Sequence, residues 1–469
     1  MKLFNTLSRT IEDFNPLNEK EVTIYSCGPT VYDYTHLGHL RTFINTDILK
    51  RTLLAEGKIV KHVMNITDVG HLVGDDGDDT GEDKMDKGAR KYGKTIDEIV
   101  TFFTDFFMMS LLKANIALPD RFPKASQHID EMIALNKKLQ EKGFTYETEE
   151  GLYFDTSKFP TYGQLSGQKL EDKQQMREEV HTDPNKKHPA DFALWLKRVG
   201  RFKDHTLHWE SPWGDGFPGW HIECSAMSMK YLGETIDIHS GGIDHIPVHH
   251  ENEIAQSEAA TGKKFVNYWY HCEFLMIEGQ KMSKSLENLL TIEDIEKKGF
   301  EPAALRLLFL QTHYRQEMNF TWDALQASQN ALKRLREAVQ QARSQTQRSQ
   351  ISAEKTGTTE MLSNKFFDAL SQDLQTPQAV AVLWEVLKSN IPSEDKYDLI
   401  MEFDRVLGLG LDKLETKVDA AIPEKVQKLL DERNVARKEK NYGESDRLRI
   451  EIEKEGYIVL DTNEGTLLK

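Results

Sequence analysis

Short apolar runs alternate with longer segments of helical spacing in the first part of the chain. Residues 22–27 (VTIYSC) predict a buried strand that ends in a turn. From Gly38 to about Glu56 the apolar side chains recur every three or four positions, which predicts a helix, and residues 58–67 (KIVKHVMNIT) predict the next strand. A strand, helix, strand succession is typical of a parallel sheet, whose ligands lie at the carboxyl ends of the strands.

The same pattern returns later in the chain. Residues 235–239 (TIDIH) and 267–277 (NYWYHCEFLMI) predict two strands, with a helix that begins near His249 between them. Residues 151–222 are richer in aromatic, turn-forming and charged side chains and predict a segment inserted into the sheet domain. From Pro302 onward helical spacing dominates. The pattern therefore predicts an α/β fold followed by a mostly α-helical C-terminal region.

Three segments depart from this alternation. Ser126 to Gly143 predicts a helix whose N-cap is the serine, and residues 344–360 predict a polar linker. Residues 74–84 (GDDGDDTGEDK) are similar to a calcium loop, but Lys87 stands where the closing glutamate would be required. We therefore predict an exposed acidic loop there and no calcium site.

Composition narrows the class of protein. With 39% hydrophobic and 29% charged residues, and no apolar run near the roughly 20 residues of a membrane helix, a globular protein with no membrane partner is expected. The N-terminal residues lack the apolar run of a secretory signal, so we expect a cytoplasmic protein. The net charge of −16 argues against a polyanionic partner, but residues 331–350 hold five basic side chains and one acidic one. A local basic strip can bind nucleic acid, although a solvated helix face is the alternative.

Two short motifs are typical of anion sites. His36, Gly38 and His39 lie at the start of the first predicted helix, where unpaired backbone N–H groups and a partial positive charge favour a phosphate. Histidines that only support a strand end are the alternative. Lys281 and Lys284 flank small hydroxyl side chains in a loop after an apolar strand, and two such flexible ammonium groups can clamp an anion.

Thiols and imidazoles supply candidate metal ligands. Three cysteines spread over 469 residues exclude a disulfide framework and indicate buried, metal-binding or reactive thiols. His249 and Glu253 are four residues apart and share a helix face. Zinc prefers such donors. Spacing alone leaves the ligand set open among Cys27, Cys224, Cys272 and the cluster 244–253 (DHIPVHHENE), and structural histidines remain the alternative.

Taken together, these motifs resemble a known family. HLGH at 36–39 with KMSKS at 281–285 resembles the paired signature of the class I aminoacyl-tRNA synthetases. Four further segments are similar to the cysteinyl-tRNA synthetase family: CGPTVYD (27–33), NITDV (65–69), GWHIECSAM (219–227) and HHENEIAQ (249–256). The resemblance covers nearly the whole chain, is strongest from 22 to 70 and from 206 to 290, and thins after about residue 345. Ser240 and Glu287 stand where glycine is usual in the family.

The resemblance implies the site residues. One Zn²⁺ per chain would be bound by Cys27, Cys224, His249 and Glu253, with Cys272 an ordinary buried thiol. This zinc would hold the substrate sulfur as a thiolate and so distinguish cysteine from serine. ATP, bound with Mg²⁺, would contact His36, Gly38, His39, Asp244, Lys281 and Lys284, of which the two histidines and two lysines would be catalytic. The amino-acid pocket would be lined by Cys27, Gly28, Thr30 and Trp220, although a core tryptophan is the alternative for Trp220.

The resemblance also implies a division of the chain. A Rossmann-like parallel-sheet catalytic domain would comprise residues 1–115 and 206–290, interrupted by an inserted connective segment at 116–205. A helical stem-contact region (291–345), a helical bundle (359–415) and a small anticodon-binding unit (421–469) would follow. In the last unit eight basic residues face six acidic ones between 421 and 450, and Asp446 and Arg447 are candidate base readers.

The expected partners are tRNA(Cys), ATP and L-cysteine, and we expect a monomer. The implied reaction joins cysteine to the terminal ribose of the tRNA through a cysteinyl-adenylate. One alternative is a cysteine ligase that passes the activated amino acid to a small amine, but such relatives lack the C-terminal anticodon region. Another is a non-catalytic RNA-binding protein on the same scaffold, which predicts damaged catalytic motifs, and none is seen.

Overall fold

A computed structural model describes residues 1–70, 83–168, 183–282, 288–344, 353–411, 424–439, 441–455, 459–462 and 465–468. The chain divides into two compact units, Met1–Asp412 and Lys413–Lys469. Residues 74–82 of the predicted acidic loop lie outside the described residues, as do Lys284 and Glu287, whereas Asp83 is buried and Lys84 begins a helix. None of the helices in the described ranges has the length and apolar character to cross a membrane.

The elements of the larger unit are numbered in chain order. The first group comprises β1 (Lys2–Asn5), β2 (Thr10–Asp13), β3 (Glu21–Ser26), α1 (Leu37–Ala55), β4 (Ile59–Met64), α2 (Lys84–Tyr92) and α3 (Ile96–Lys113). The second comprises α4 (Ile129–Glu141), β5 (Thr145–Glu147), β6 (Gly151–Phe154), β7 (Phe192–Lys197) and β8 (Gly216–Pro218). The third comprises α5 (Trp220–Leu232), β9 (Ile236–Gly242), α6 (Glu251–Thr261), β10 (Val266–Cys272), β11 (Leu275–Ile277) and β12 (Gln280–Lys281). The fourth comprises α7 (Ile292–Lys297), α8 (Pro302–Leu310), β13 (Met318–Phe320), α9 (Trp322–Arg343), α10 (Ala353–Ser371), α11 (Thr376–Lys388) and α12 (Ser393–Leu407).

A four-stranded parallel sheet lies at the centre of this unit, in the order β10–β9–β3–β4. Its strands are apolar and mostly buried, as expected of parallel strands that helices cover. Helix α1 connects β3 to β4, and α6 connects β9 to β10. The predicted α/β fold with a parallel sheet and a mostly helical C-terminal region is confirmed.

The inserted segment forms a sheet of its own. Strands β5, β6, β7 and β8 pair antiparallel in chain order. One apolar core joins this sheet to the parallel sheet, because Leu152 and Trp195 cluster with Tyr25 and Ile236. The inserted segment was predicted to end at residue 205, but β8 spans Gly216–Pro218, so the antiparallel sheet continues beyond that boundary. The division of the chain that the resemblance implies stays a prediction.

The predicted strand 267–277 is wrong as a single element. It is two strands, because β10 belongs to the parallel sheet whereas β11 pairs with β12 and β13 in a separate three-stranded sheet. At the break, the carbonyl oxygens of Glu273 and Phe274 accept hydrogen bonds from the buried guanidinium of Arg41 on α1. The Phe274 carbonyl also accepts from the backbone N–H of Met318, so the chain leaves one sheet and enters the next through contacts that a strand pattern does not indicate.

Two other local predictions are corrected. Helix α4 has no side-chain cap, because the Ser126 hydroxyl and backbone N–H both bond to the carboxylate of Asp68. The predicted linker 344–360 is partly helical, since α10 begins at Ala353. Buried Leu362 and Phe366 anchor that helix, and tertiary packing of this kind extends helices into polar sequence.

The smaller unit contains helices α13 (Glu424–Lys438) and α14 (Tyr442–Lys454) and the hairpin β14 (Val459–Thr462) and β15 (Gly465–Leu468). Its buried apolar side chains form one small cluster of Val426, Leu430, Ile452 and Val459.

Candidate active site

The carboxyl ends of the parallel strands bring the predicted ligands together. Strand β3 ends directly before Cys27, and β9 runs into two short helical turns that lead to α6. The second of these turns, Ile246–His250, is wider than an α-helix and contains Pro247. It places His249 one turn before Glu253, as their spacing requires. Cys224 comes from the buried side of α5.

Four side chains form a compact cluster at this edge of the sheet. The ligating atoms of Cys27, Cys224, His249 and Glu253 all lie within 4.8 Å of one another, and none of the four residues is more than 8% exposed. The two Sγ atoms are 4.0 Å apart, and His249 Nε2 is 3.1 Å from Glu253 Oε1. Tetrahedral zinc with bonds of about 2.0–2.3 Å holds its ligand atoms roughly 3.3–3.8 Å apart. The cluster therefore fits such an ion.

A second group of side chains meets the same spacing, and it shares two members with the first. Cys27 and Glu253 also lie within 4.8 Å of His239 and His250. His239 Nε2 bonds to Glu253 Oε2 at 3.0 Å, and His250 Nε2 lies 3.2 Å from the Cys27 sulfur. Outer partners of this kind orient metal ligands. Zinc favours thiolate ligands, and the first set has two cysteines where the second has one, so the first set is the better candidate for the ligands.

The remaining two ligand candidates also have outer partners. His249 Nδ1 faces Nδ1 of His221 at 3.0 Å, which leaves Nε2 directed at the cluster. The Cys224 sulfur is 3.8 Å from the amide oxygen of Asn65, at the end of β4. All four ligand candidates are thus oriented by a second polar group.

The cluster perturbs the pKa values of its members. Burial raises the pKa of Cys224, but hydrogen bonding by Cys27 and the positive charge of His249 outweigh it and lower that pKa to about 7. Burial lowers the pKa of His249, yet the charges of Glu253 and Cys224 raise it to about 10. Burial raises the pKa of Glu253, whereas His239 and His249 together lower it to about 2. Burial and the neighbouring Cys224 raise the pKa of Cys27 well above its ordinary value.

Above pH 7, these pKa values favour a thiolate at Cys224, an imidazolium at His249 and a carboxylate at Glu253 in the metal-free cluster. In the metal-free protein the raised pKa values keep protons on Cys27 and His249, and zinc would displace these protons. The donor set of two sulfurs, one nitrogen and one oxygen is one that zinc accepts.

The two histidines of the HLGH turn form a reciprocal capping box at the start of helix α1. His36 is the N-cap, and the backbone N–H of each histidine donates to Nδ1 of the other at 3.4 Å. The rings stack with centroids 3.7 Å apart. Because Nδ1 accepts in both rings, Nε2 is the nitrogen of each ring that remains to donate. A side chain at Gly38 would collide with the Met282 methyl group and the His36 ring.

Most other predicted residues border the same strand ends. The backbone N–H of Gly28 donates to the Asn65 side chain at 2.8 Å, and Thr30 bridges to Thr67. Trp220 begins α5, and its ring centroid lies 4.4 Å from that of His249. The predicted pocket residues therefore lie around the candidate metal cluster.

Two predicted ATP contacts lie nearer the surface. Asp244 occupies the turn after β9, and its side chain is 62% exposed. Lys281 ends β12, with Nζ 5.5 Å from the centroid of the Phe274 ring. Cys272, in contrast, is buried apart from the cluster, and its sulfur accepts from the Asn45 amide at 3.6 Å.

Sequence reasoning missed the outer residues His221, His239, His271 and Asn65. His271 Nε2 bonds to His250 Nδ1 at 2.7 Å. A signal was present for His239, which ends the predicted strand 235–239, but His271 lies in the middle of the predicted strand 267–277. Polar side chains at adjacent parallel strand ends lie close in space.

Comparisons with known proteins define the class. Residues 13–330 match the family model described as the catalytic domain of class I (C) tRNA synthetases. Among solved structures, methionyl-tRNA synthetase of Mycobacterium tuberculosis in complex with methionyl-adenylate has the same fold, with a TM-score of 0.57 at 13% identity over 83% of this chain and 90% of that chain. Fold and site together are those of a class I aminoacyl-tRNA synthetase.

Sequence relatives narrow the class further. Residues 419–466 match the family model of the cysteinyl-tRNA ligase anticodon binding domain. Cysteine–tRNA ligase of Treponema denticola is 44% identical over 98% of both chains, and cysteine–tRNA ligase 1 of Burkholderia lata is 43% identical over all of this chain and 96% of that protein. The chain belongs to the cysteine–tRNA ligase family, and it is a ligase enzyme. The resemblance drawn from the sequence motifs is confirmed.

Proposed function

We propose that the chain activates L-cysteine with ATP as cysteinyl-adenylate and transfers the cysteinyl group to tRNA(Cys). The observation that carries this proposal is the buried cluster of Cys27, Cys224, His249 and Glu253, whose first member follows the carboxyl end of β3. The same strand-to-helix passage runs on from Cys27 to the HLGH turn, so one candidate metal ligand and an anion-binding helix start lie on one short stretch of chain.

The HLGH turn would stabilise charge on the α-phosphate while the cysteine carboxylate attacks it. His36 and His39 can donate from Nε2, since each Nδ1 accepts from a backbone N–H. The partial positive charge at the start of α1 acts on the same anion. Preorganised donors of this kind need no rearrangement during the reaction, which is how electrostatic catalysis lowers a barrier.

The cluster would select the amino acid. When bound, zinc would supply a soft Lewis acid for the thiolate of cysteine, and the harder, less acidic hydroxyl of serine replaces a thiolate poorly. The four ligand candidates would hold the ion, and Trp220, beside His249, would line the pocket with the backbone of Gly28 and with Thr30. A purely apolar pocket separates such similar side chains by only about 1–3 kcal/mol.

The remaining predicted residues would bind the nucleotide. Lys281 and Lys284 would neutralise the departing pyrophosphate, and exposed Asp244 would contact the nucleotide. Mg²⁺ would arrive with ATP and would offset the negative charge of its phosphates.

The C-terminal regions would recognise tRNA. Helix α9, within the region 291–345, carries four of the five basic residues of the strip and would contact the stem, and the unit 421–469 would read the anticodon. Arg447 is held by Glu444 and Glu451 in ion pairs of 2.6 Å, so reading a base with it would require exchanging those contacts. We propose that the enzyme acts as a monomer, which sedimentation equilibrium can check.

Cysteine-dependent exchange of labelled pyrophosphate into ATP tests the activation step. We expect exchange with cysteine and none above background with serine. A cysteine ligase with a small-amine acceptor would also exchange pyrophosphate but would not charge tRNA, whereas a non-catalytic RNA-binding protein would do neither. Absence of exchange by the folded, zinc-loaded protein would contradict the proposal.

A further inference from the structure

Arg41 occupies an unusual position on helix α1. It follows His39 by two residues, and only 1% of its surface is exposed. Its guanidinium donates to four backbone carbonyls, those of Glu273, Phe274, His313 and Gln316. Within the described residues it makes no ion pair with a carboxylate, although a buried charge ordinarily requires one or a full set of hydrogen bonds.

The four carbonyls belong to two segments that lead into one small sheet. Glu273 and Phe274 precede β11, which continues into β12 and its last residue, Lys281. His313 and Gln316 precede β13, which pairs with β11 in parallel. One side chain from the helix that carries the HLGH turn therefore holds the two segments from which the sheet with Lys281 begins.

Two further contacts join the start of the same helix to Met282, within the KMSKS motif, and to Leu290, after it. The backbone N–H of Leu37 donates to the Leu290 carbonyl at 2.8 Å, which satisfies one of the unpaired donors of α1. The Met282 methyl group lies against Gly38 and near the His36 ring. The chain is thus attached to the start of α1 both directly after Lys281 and again at Leu290.

We propose that Arg41 is a positioning residue for adenylate formation: it fixes the HLGH turn relative to the strand that ends at Lys281. This inference rests on the proposed function, in which both groups act on one ATP. A planar guanidinium with five donors can span carbonyls of two segments, whereas lysine concentrates three donors at one point. Misplacement of catalytic groups by about 1 Å lowers rates about 10²-fold.

The test compares Arg41→Lys with Arg51→Lys. Arg51 is a matched control, because it lies on the same helix and also donates to backbone carbonyls, but to those of Asn115 and Arg405. We expect Arg41→Lys to lower kcat of cysteine-dependent pyrophosphate exchange about 10²-fold, with zinc content and the KM for cysteine unchanged. Arg51→Lys should stay within about threefold of the parent protein.

A second readout does not depend on catalysis. The labelled methyl signal of Met282, assigned with Met282→Leu, should be shifted by the neighbouring imidazole ring in the parent protein and in Arg51→Lys, and should lose that shift in Arg41→Lys. Unchanged kcat, or an unchanged Met282 signal, would overturn the proposal. Loss of zinc and of cysteine binding in Arg41→Lys would also overturn it, since Arg41 would then maintain the whole fold. Failure of exchange in the parent protein alone would refute the proposed function, and the methyl signal would still decide the role of Arg41.

Discussion

Replacement of Cys224 by serine tests the candidate metal cluster most sharply. The substitution keeps the shape of the side chain but replaces a sulfur that ionises near neutral pH with a hydroxyl that does not. The matched control is Cys272→Ser, because Cys272 is equally buried but lies outside the cluster.

The low pKa of Cys224 and the usual strength of structural zinc sites set the expected loss of zinc affinity. At the ordinary pKa of 9.0 a thiol costs about 2 kcal/mol to ionise at pH 7.5, whereas at a pKa of about 7 the Cys224 thiol is mostly ionised already. Structural zinc sites bind with about 10–16 kcal/mol shared by four ligands, so the loss of one ligand costs roughly 2.5–4 kcal/mol. This corresponds to a Kd for zinc raised about 10²–10³-fold.

Competition with a chromophoric chelator at pH 7.5 measures the zinc Kd directly, with circular dichroism to verify folding. We expect Cys224→Ser to bind zinc about 10²–10³-fold more weakly and Cys272→Ser to stay within a few-fold of the parent protein. Equal zinc affinity in a folded Cys224→Ser variant would refute this reasoning, as would an equally large loss in Cys272→Ser.

Three other predictions follow from the same contacts. His36→Asn should lower pyrophosphate exchange about 10²–10³-fold without changing the zinc Kd, since one preorganised donor is lost; an unchanged exchange rate would count against the anion site. Zinc binding at pH 8 should release about two protons, because the raised pKa values of Cys27 and His249 keep both side chains protonated in the metal-free protein. Titration calorimetry in buffers of different ionisation enthalpy counts the released protons. A value near zero would contradict the assignment of Cys27 and His249 as zinc ligands. Asp47→Asn should lower the free energy of unfolding by about 3–5 kcal/mol, because it leaves Arg306, 2.6 Å away, buried without its counter-charge. Urea unfolding followed by tryptophan fluorescence measures this free energy. A loss below about 1 kcal/mol would be inconsistent with the buried pair.

Local patterns predicted the parallel sheet because its strands and helices keep a regular apolar spacing from 22 to 67 and again from 235. They could not predict contacts made far along the chain. Ser126 has the local sequence of an N-cap, but Asp68, 58 residues earlier, takes its hydroxyl and its N–H. The strand 267–277 divides at Glu273 and Phe274, whose carbonyls bond to Arg41, more than 230 residues earlier.

The candidate site shows the same limit. Spacing placed His249 and Glu253 on one helix face, whereas the meeting of Cys27 with Cys224 depends on how β3 and α5 pack and came only from the family resemblance. The outer histidines were missed because His239 and His271 lie within buried strands and His221 lies on a buried helix face, where a structural histidine is the ordinary interpretation. Only the order of the strands in the sheet shows that His239 and His271 are neighbours.

The most direct test is transfer of radiolabelled cysteine onto total tRNA, with ATP and magnesium, scored as acid-precipitable counts. We predict clear charging that is absent without ATP. No charging by a folded, zinc-loaded protein would contradict the proposed transfer of cysteine to tRNA, even if pyrophosphate exchange persisted.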